Sequence, residues 1–148
     1  MKKFEFSLER LKQYREQVEE TEKNKLGELR AQLRILEAET EELLALIEKK
    51  NDDLRELYRH GAFPHEISSL NRFISLKQQE LHRKRRDIIL KNEEIAAQLT
   101  VVIDSRREVS KLEKLEEHQL EDYRFMEKKE QEKFIEEFVA NAEFNKNK

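Results

Sequence analysis

The stretch His60-Gly61-Ala62-Phe63-Pro64-His65-Glu66 decides how this chain folds. It contains one of the two glycines and the only proline among 148 residues. Glycine readily adopts the left-handed conformation that ends helices, and proline cannot continue a helix that precedes it. Because these helix breakers cluster nowhere else, the sequence predicts a single turn over residues 60–66 between two long helices.

The segment before the turn predicts a helix over about residues 3–59, because it contains no proline and is rich in strong helix formers. Its second half has apolar residues in alternating steps of three and four, which is the a/d pattern of a coiled-coil seam. These residues are Leu26, Leu29, Leu33, Leu36, Leu43, Ile47, Leu54 and Leu57. In the first half, Phe4, Leu11 and Val18 also repeat every seven residues. That repeat is offset from the later one, which predicts a local change of register between Val18 and Leu29.

The segment after the turn predicts a longer helix over about residues 67–142. One apolar residue recurs every seven positions, at Ile67, Ile74, Leu81, Ile88, Ile95, Val102 and Val109. Most partner positions are polar, so this helix needs a second helix along its length to be stable. The predicted fold class is therefore all-α, with residues 1–148 forming one antiparallel coiled-coil hairpin.

Charge predicts the register of that hairpin. If the turn centres near Ala62, residue i faces approximately residue 124 − i, and the acidic run Glu37–Glu42 faces the basic run Arg83–Arg86. Oppositely charged flanks are typical of paired helices. The same rule leaves everything beyond about residue 121 as a C-terminal overhang of the second helix.

Composition excludes most kinds of active site. Charged residues make up 43% of the chain and there is no cysteine, which excludes a disulfide framework and a thiolate metal site. The four histidines form no i, i+4 pair, so we expect no metal. A two-helix hairpin offers no pocket to desolvate a catalytic acid, and phosphate-binding or nucleophile motifs are missing from the sequence. We therefore expect no enzyme activity and no cofactor.

The basic run His82–Arg86 has two interpretations. One is pairing with the acidic run of the other helix, and the other is an acidic partner. Nucleic-acid binding is not expected, because no aromatic residues interleave the run and the facing run of the other helix is acidic. The sequence carries no signal peptide pattern and no long apolar stretch, which predicts a soluble cytoplasmic protein.

Aromatic residues indicate contact surfaces near the turn and near the chain ends. Tyr58, Phe63 and Phe73 lie at or close to the turn, where Phe63 could either contact a partner or pack back on Tyr58. Phe134 and Phe138 lie in the overhang, where the hairpin offers no partner, so this end is a candidate docking site.

The sequence resembles the FliJ family of flagellar export proteins over essentially its whole length. The resemblance lies in three stretches: FEFSLERLKQYREQVEE (4–20), GAFPHEISSLNRFISLKQQEL (61–81) and SRREVSKLEKLEEHQLEDYRFMEKKEQEKFIEEF (105–138). The last is similar to a family pattern of a K-L-x-K-L core, a tyrosine, charged spacers and an acidic pair, here Glu136 and Glu137.

The resemblance implies a soluble stalk of the flagellar type III export apparatus, at the inner face of the cell membrane through its partners only. Those partners would be the hexameric export ATPase, the cytoplasmic domain of the export gate protein and export chaperones. The ATPase-facing residues would be Leu11, Tyr14, Val18, Leu120 and Tyr123. The gate-facing residues would be Tyr58, Phe63 and, in an N-R-F context, Phe73. Three alternatives stay open: the equivalent stalk of a virulence injectisome, a generic coiled-coil spacer or dimeriser and, although it is less expected, a basic coiled-coil nucleic-acid binder.

Overall fold

The computed structural model describes residues 2–147, and all their regular structure is helical. Helix α1 spans Glu9–His60 and helix α2 spans Pro64–Lys146. The two helices pack antiparallel, which confirms the predicted helical hairpin. Met1 and Lys148, which the predicted domain includes, lie outside the described residues. Neither helix of the described part is long and apolar enough to cross a membrane.

The turn is shorter than predicted, since it consists of residues 61–63 rather than 60–66. Gly61 has φ 75° and ends α1 in the left-handed conformation. Pro64 begins α2, where its missing N–H costs nothing because the first amides of a helix have no intrahelical acceptor. The Phe63 carbonyl accepts hydrogen bonds from the amides of Glu66 and Ile67.

The contacts divide the chain into two units: unit 1 is Met1–Thr21 with Ile103–Lys148, and unit 2 is Glu22–Val102. In unit 2 the predicted seams meet, and Leu43, Ile47 and Leu81 form a buried cluster. Leu26 and Ile74 are also buried. Thr40, at a seam position of α1, is buried and donates its hydroxyl to the Leu36 carbonyl.

The predicted pairing rule is confirmed in unit 2. The Lys84 ammonium donates to the Glu39 carboxylate, and Lys91 Nζ donates to Gln32 Oε1 over 2.8 Å. Gln98 Nε2 donates to Glu22 Oε2 over 2.6 Å. Each partner lies within a few residues of the position that the rule gives, so the register follows from the position of the turn.

Unit 1 packs differently from the prediction. Val109 of α2 is fully buried, and Phe6, which precedes α1, is 8% exposed, but the inward positions of α1 in this unit are largely polar. Counting back from Leu26 in steps of four and three gives positions that are all buried or half-buried: Glu22, Glu19, Arg15, Lys12 and Leu8. Leu11 and Tyr14 point outward instead. The predicted change of register between Val18 and Leu29 is therefore wrong, because polar residues continue the seam.

The beginning of α1 also differs from the prediction. Residues 2–8 are not helical, although the helix was predicted from about residue 3. Phe6 is buried, and the Phe4 ring packs on Tyr123 with centroids 5.5 Å apart. The packing of Phe4 on Tyr123 and the burial of Phe6 outweigh the local helix propensity of the segment.

Candidate partner-binding sites

Unit 1 separates the five residues predicted to face an ATPase into two groups. Leu11 is 41% exposed and Tyr14 is 59% exposed, with the Arg15 guanidinium 5.7 Å from the Tyr14 ring centroid. Val18, Leu120 and Tyr123 are half-buried. Leu11 and Tyr14 are therefore the only two of the five residues that are exposed without a rearrangement of the unit.

Tyr123 has a structural role that the sequence did not reveal. Its hydroxyl donates a hydrogen bond to the Lys2 carbonyl, and its ring contacts Phe4. Desolvation of the phenol raises the pKa of Tyr123 above its ordinary value. The residue fastens the non-helical N-terminal segment to α2. A pattern of alternating Phe4 and Phe6 before the helix could have indicated that this segment packs in an extended form.

A shallow groove adjoins Tyr123 on the exposed part of α2. It is lined by Tyr123, Glu127, Glu130, Gln131, Phe134 and Ile135. Every residue from Lys128 to Asn147 is exposed, with Phe134 at 70% and Phe138 at 67%. Spacings of four residues place Phe134 with Phe138, and Ile135 with Val139, on one side of the helix. This apolar stripe lies in the predicted overhang, and its role as a docking end stays a prediction.

Ion pairs occupy the seam of unit 1 where apolar residues would be expected. Lys12 Nζ lies 2.6 Å from Glu116 Oε2, and their side chains are 18% and 30% exposed. The carboxylate accepts a hydrogen bond from the ammonium and raises the pKa of Lys12 above its ordinary value. Glu19 is 7% exposed, and its Oε1 lies 3.6 Å from the Arg106 guanidinium. The cohesion of this unit therefore depends partly on charge.

In unit 2, the three residues predicted to face an export gate have different surroundings. Tyr58 and Phe63 are 62% and 67% exposed. The Phe63 ring stacks on His65 with centroids 5.6 Å apart and an interplanar angle of 16°. The alternative that Phe63 packs back on Tyr58 is thus wrong, because the short turn directs Phe63 along the first turn of α2.

Phe73 is the least exposed of the three, at 37%, and it lies between two cations. Lys50 Nζ is 5.7 Å from its ring centroid and Lys77 Nζ is 5.4 Å from it. Ammonium groups at this distance are attracted by the aromatic ring. The Phe73 ring therefore presents a partly exposed aromatic surface with two positive charges beside it.

The basic run pairs less with the facing helix than its charge predicts. Lys84 reaches Glu39, but within residues 2–147 Arg83, Arg85 and Arg86 form no ion pair. They lie outside the seam positions, where they are exposed. Pairing between the helices thus accounts for one cation of the run, and the arginines stay available.

The part of the chain that the structure describes shows no arrangement of side chains for binding a metal ion and no enclosed cavity for a small molecule. No group of three histidine, aspartate or glutamate side chains is placed to hold a metal ion there. The grooves found are shallow and open to solvent on the helix surfaces. The described surfaces suit contacts with other macromolecules better than the enclosure of a small molecule.

Comparison with known proteins adds no relative. No family model matches the chain, and no curated protein or solved structure matches it significantly. The geometry of the two units and the resemblance to FliJ proteins are thus the basis for a functional proposal.

Proposed function

We propose that this chain is a non-enzymatic stalk and adaptor of the flagellar type III protein export apparatus. The observation that carries the proposal is the FliJ-like stretch of residues 105–138. Its first part packs against the N-terminal residues in unit 1, and its last part is an exposed helix with Phe134 and Phe138 on one side. In this role the protein is cytoplasmic and reaches the inner face of the membrane through its partners.

Docking into the hexameric export ATPase is assigned to unit 1. Leu11 and Tyr14 on α1, with Phe134 and Phe138 on α2, expose apolar and aromatic surface that would be covered by a partner. Aromatic anchors in a desolvated pocket supply most of the binding energy in many interfaces. A rod held off-axis in a ring promotes closure of the ATPase subunits, which stimulates ring assembly and ATP hydrolysis.

Contact with the export gate is assigned to unit 2. Phe73, with Lys50 and Lys77 beside its ring, presents one aromatic surface, and Tyr58 and Phe63 present further aromatic surface near the turn. The chain also serves export chaperones as an adaptor. Two different partners, one for each unit, would make the hairpin a coupling element between ATPase and gate.

The test is to mix the purified chain with the flagellar export ATPase and measure both association and ATP turnover. We expect association and faster turnover, and a Tyr14→Ala, Phe138→Ala variant should lose both. Ile35→Ala with Leu90→Ala removes comparably exposed apolar side chains in unit 2 and serves as the matched control.

If the wild-type chain neither associates with the export ATPase nor changes its ATP turnover, the proposal is refuted. Association with an injectisome ATPase but not with the flagellar one would assign the chain to a virulence secretion system. If Tyr14→Ala, Phe138→Ala behaves as the control does, the assigned docking surface is wrong.

A further inference from the structure

One flank of unit 2 carries charged side chains that form no ion pair within residues 2–147. In heptad terms the seam residues Leu36 and Lys84 occupy d positions, and this flank consists of the e and b positions of both helices. On the opposite flank, Glu39 and Gln32 are engaged by lysines of α2. On the e/b flank and its outer border, no ion pair within residues 2–147 involves the following charged residues: Arg30, Arg34, Glu37, Glu41, Glu48, Arg85, Arg86 and Glu93.

The signs of these charges are ordered along the flank. On α1, Arg30 and Arg34 precede the acidic residues Glu37, Glu41 and Glu48. On α2, the pairing rule brings Glu93 to the level of the two arginines of α1. The same rule brings Arg85 and Arg86 to the level of Glu37 and Glu41. At each of these levels the two helices therefore carry opposite charges.

Such a flank is complementary to itself. Two copies of a two-helix ribbon can meet about a two-fold axis in three ways, and two of them place α1 on α1 or α2 on α2. An axis normal to the ribbon joins only the edges of the two copies and leaves the e/b flank uncovered. An axis across both helices brings opposite charges together only where it passes between the levels of Arg34 and Glu37. Because α2 then lies on α2, that arrangement does not bring Leu99 over Gly27. If the axis runs parallel to the helices, α1 of each copy lies over α2 of the other at the same level. We propose that the e/b flanks of two copies associate face to face in this orientation.

Gly27 and Leu99 support the same contact independently of charge. Gly27 occupies a b position in the middle of α1, where glycine lowers helix stability. A Cβ at Gly27 would meet nothing within 4 Å, so no close packing inside the chain requires glycine there. Leu99 occupies an e position at nearly the same level and is 40% exposed. In the proposed dimer Leu99 of each copy lies over Gly27 of the other, where the missing side chain allows close approach.

Two further apolar side chains become covered in this arrangement. Leu44 is 39% exposed and Ile89 is 60% exposed, and both lie on the e/b flank. Because the interface is isologous, each contact occurs twice. Individual ion pairs at a surface contribute little and are screened by salt, so the association should weaken as ionic strength rises. The inference does not depend on the export role.

The test uses sedimentation equilibrium of the full chain at about 50 mM and about 500 mM salt. The wild-type chain should dimerise more strongly at the lower salt concentration. One variant reverses the acidic side, with Glu37→Lys and Glu41→Lys, and another reverses the basic side, with Arg85→Glu and Arg86→Glu. Each variant alone should dimerise at least about tenfold more weakly, because two repulsive contacts replace two attractive ones.

Recombination of the variants separates self-association from other effects of charge. An equimolar mixture of the two variants should form a heterodimer, and one chain with all four substitutions should dimerise as the wild type does. The matched controls change net charge equally outside the flank: Lys128→Glu with Lys133→Glu, and Glu132→Lys with Glu136→Lys. Both should leave dimerisation unchanged, and circular dichroism should show that every variant keeps its helix content.

A wild-type chain that stays monomeric at low salt overturns the proposal, as does a variant mixture that forms no heterodimer. A monomer that instead binds heparin through Arg85 and Arg86 would show that the basic side serves an anionic partner. Gly27→Leu gives a second readout, since it should raise the Tm of the hairpin while it weakens dimerisation. Unchanged dimerisation in this variant would contradict the proposed contact between Gly27 and Leu99.

Discussion

The Lys12 ammonium and the Glu116 carboxylate, 2.6 Å apart, pair at seam positions that coiled coils normally fill with apolar side chains. Both charges give up part of their hydration to lie there, and their attraction offsets that cost. A well-packed apolar pair at such a position is often at least as stable as the ion pair. The relationship therefore has an energetic consequence that can be measured.

We predict that Lys12→Leu with Glu116→Leu raises the free energy of unfolding by about 1–2 kcal/mol, because apolar surface is buried at the seam. Thermal unfolding monitored by circular dichroism measures the change. Glu116→Leu alone should be less stable than the double variant, since it leaves the ammonium without its carboxylate. A double variant less stable than the wild type would show that the ion pair makes a net contribution.

The two glycines should respond oppositely to alanine. Gly61→Ala should lower stability by about 1 kcal/mol, because its φ of 75° is unfavourable for any residue with a Cβ. Gly27→Ala should raise stability by about 1 kcal/mol, because it lies within α1 with free space around it. Chemical denaturation of both variants gives the comparison. If both substitutions raised the free energy of unfolding, the assignment of Gly61 as the helix-ending residue would be contradicted.

Glu22 predicts a dependence of stability on acid pH. The Gln98 amide donates to its carboxylate, which lowers the pKa of Glu22 below its ordinary value of 4.5. A lowered pKa in the folded state means that the contribution is fully present above 4.5 and is lost as the pH falls through the folded-state pKa. NMR titration of the carboxyl carbon measures this pKa, and Gln98→Leu should raise it toward the ordinary value. No change in that variant would exclude the amide as the cause.

Tyr123→Phe should release the N-terminal segment without unfolding the hairpin. The substitution removes the hydrogen bond to the Lys2 carbonyl but keeps the ring that contacts Phe4. Amide hydrogen exchange should become faster in residues 2–8, while the helix content stays the same. Tyr14→Phe removes the hydroxyl of an exposed tyrosine whose ring lies beside the Arg15 guanidinium, and it serves as the control. Equal exchange in both variants would show that Tyr123 does not fasten the segment.

Phe73→Ala should abolish binding of the export gate's cytoplasmic domain if the proposed function is correct. Stability should fall by about 1 kcal/mol, because the ring is partly exposed and the substitution removes its attraction to the ammonium groups of Lys50 and Lys77. A pull-down with the purified gate domain measures binding. Ile103→Ala removes a comparably exposed apolar side chain and should bind as the wild type does. Undiminished binding by Phe73→Ala would favour a generic spacer.

The hairpin and its register in unit 2 could be predicted because two independent signals agree. Gly61 and Pro64 locate the turn, and the apolar steps that include Leu43 and Leu81 locate the facing seams. Once the turn is fixed, the antiparallel geometry leaves little freedom in pairing. The contact between Lys84 and Glu39 follows directly from that constraint.

Unit 1 could not be predicted in the same way, because its inward positions do not differ in residue type from a solvated surface. Lys12 and Glu19 look like surface residues until a partner on α2 is known, whereas Leu11 looks like a seam residue and is 41% exposed. The fastening of the N-terminal segment by Tyr123 depends on a contact between residues far apart in the chain. Local periodicity contains no information about such a contact.

The three-residue link between His60 and Pro64 has a mechanical consequence. If α2 slid along α1 by one heptad, the link would have to absorb about 10 Å of displacement. Three extended residues span at most about 10 Å in total, and these already cross the gap between the helices. The helices near the turn are thus locked against sliding unless a helix end unwinds. A force along the axis of either helix is therefore transmitted to the turn with little relative displacement of the two helices there.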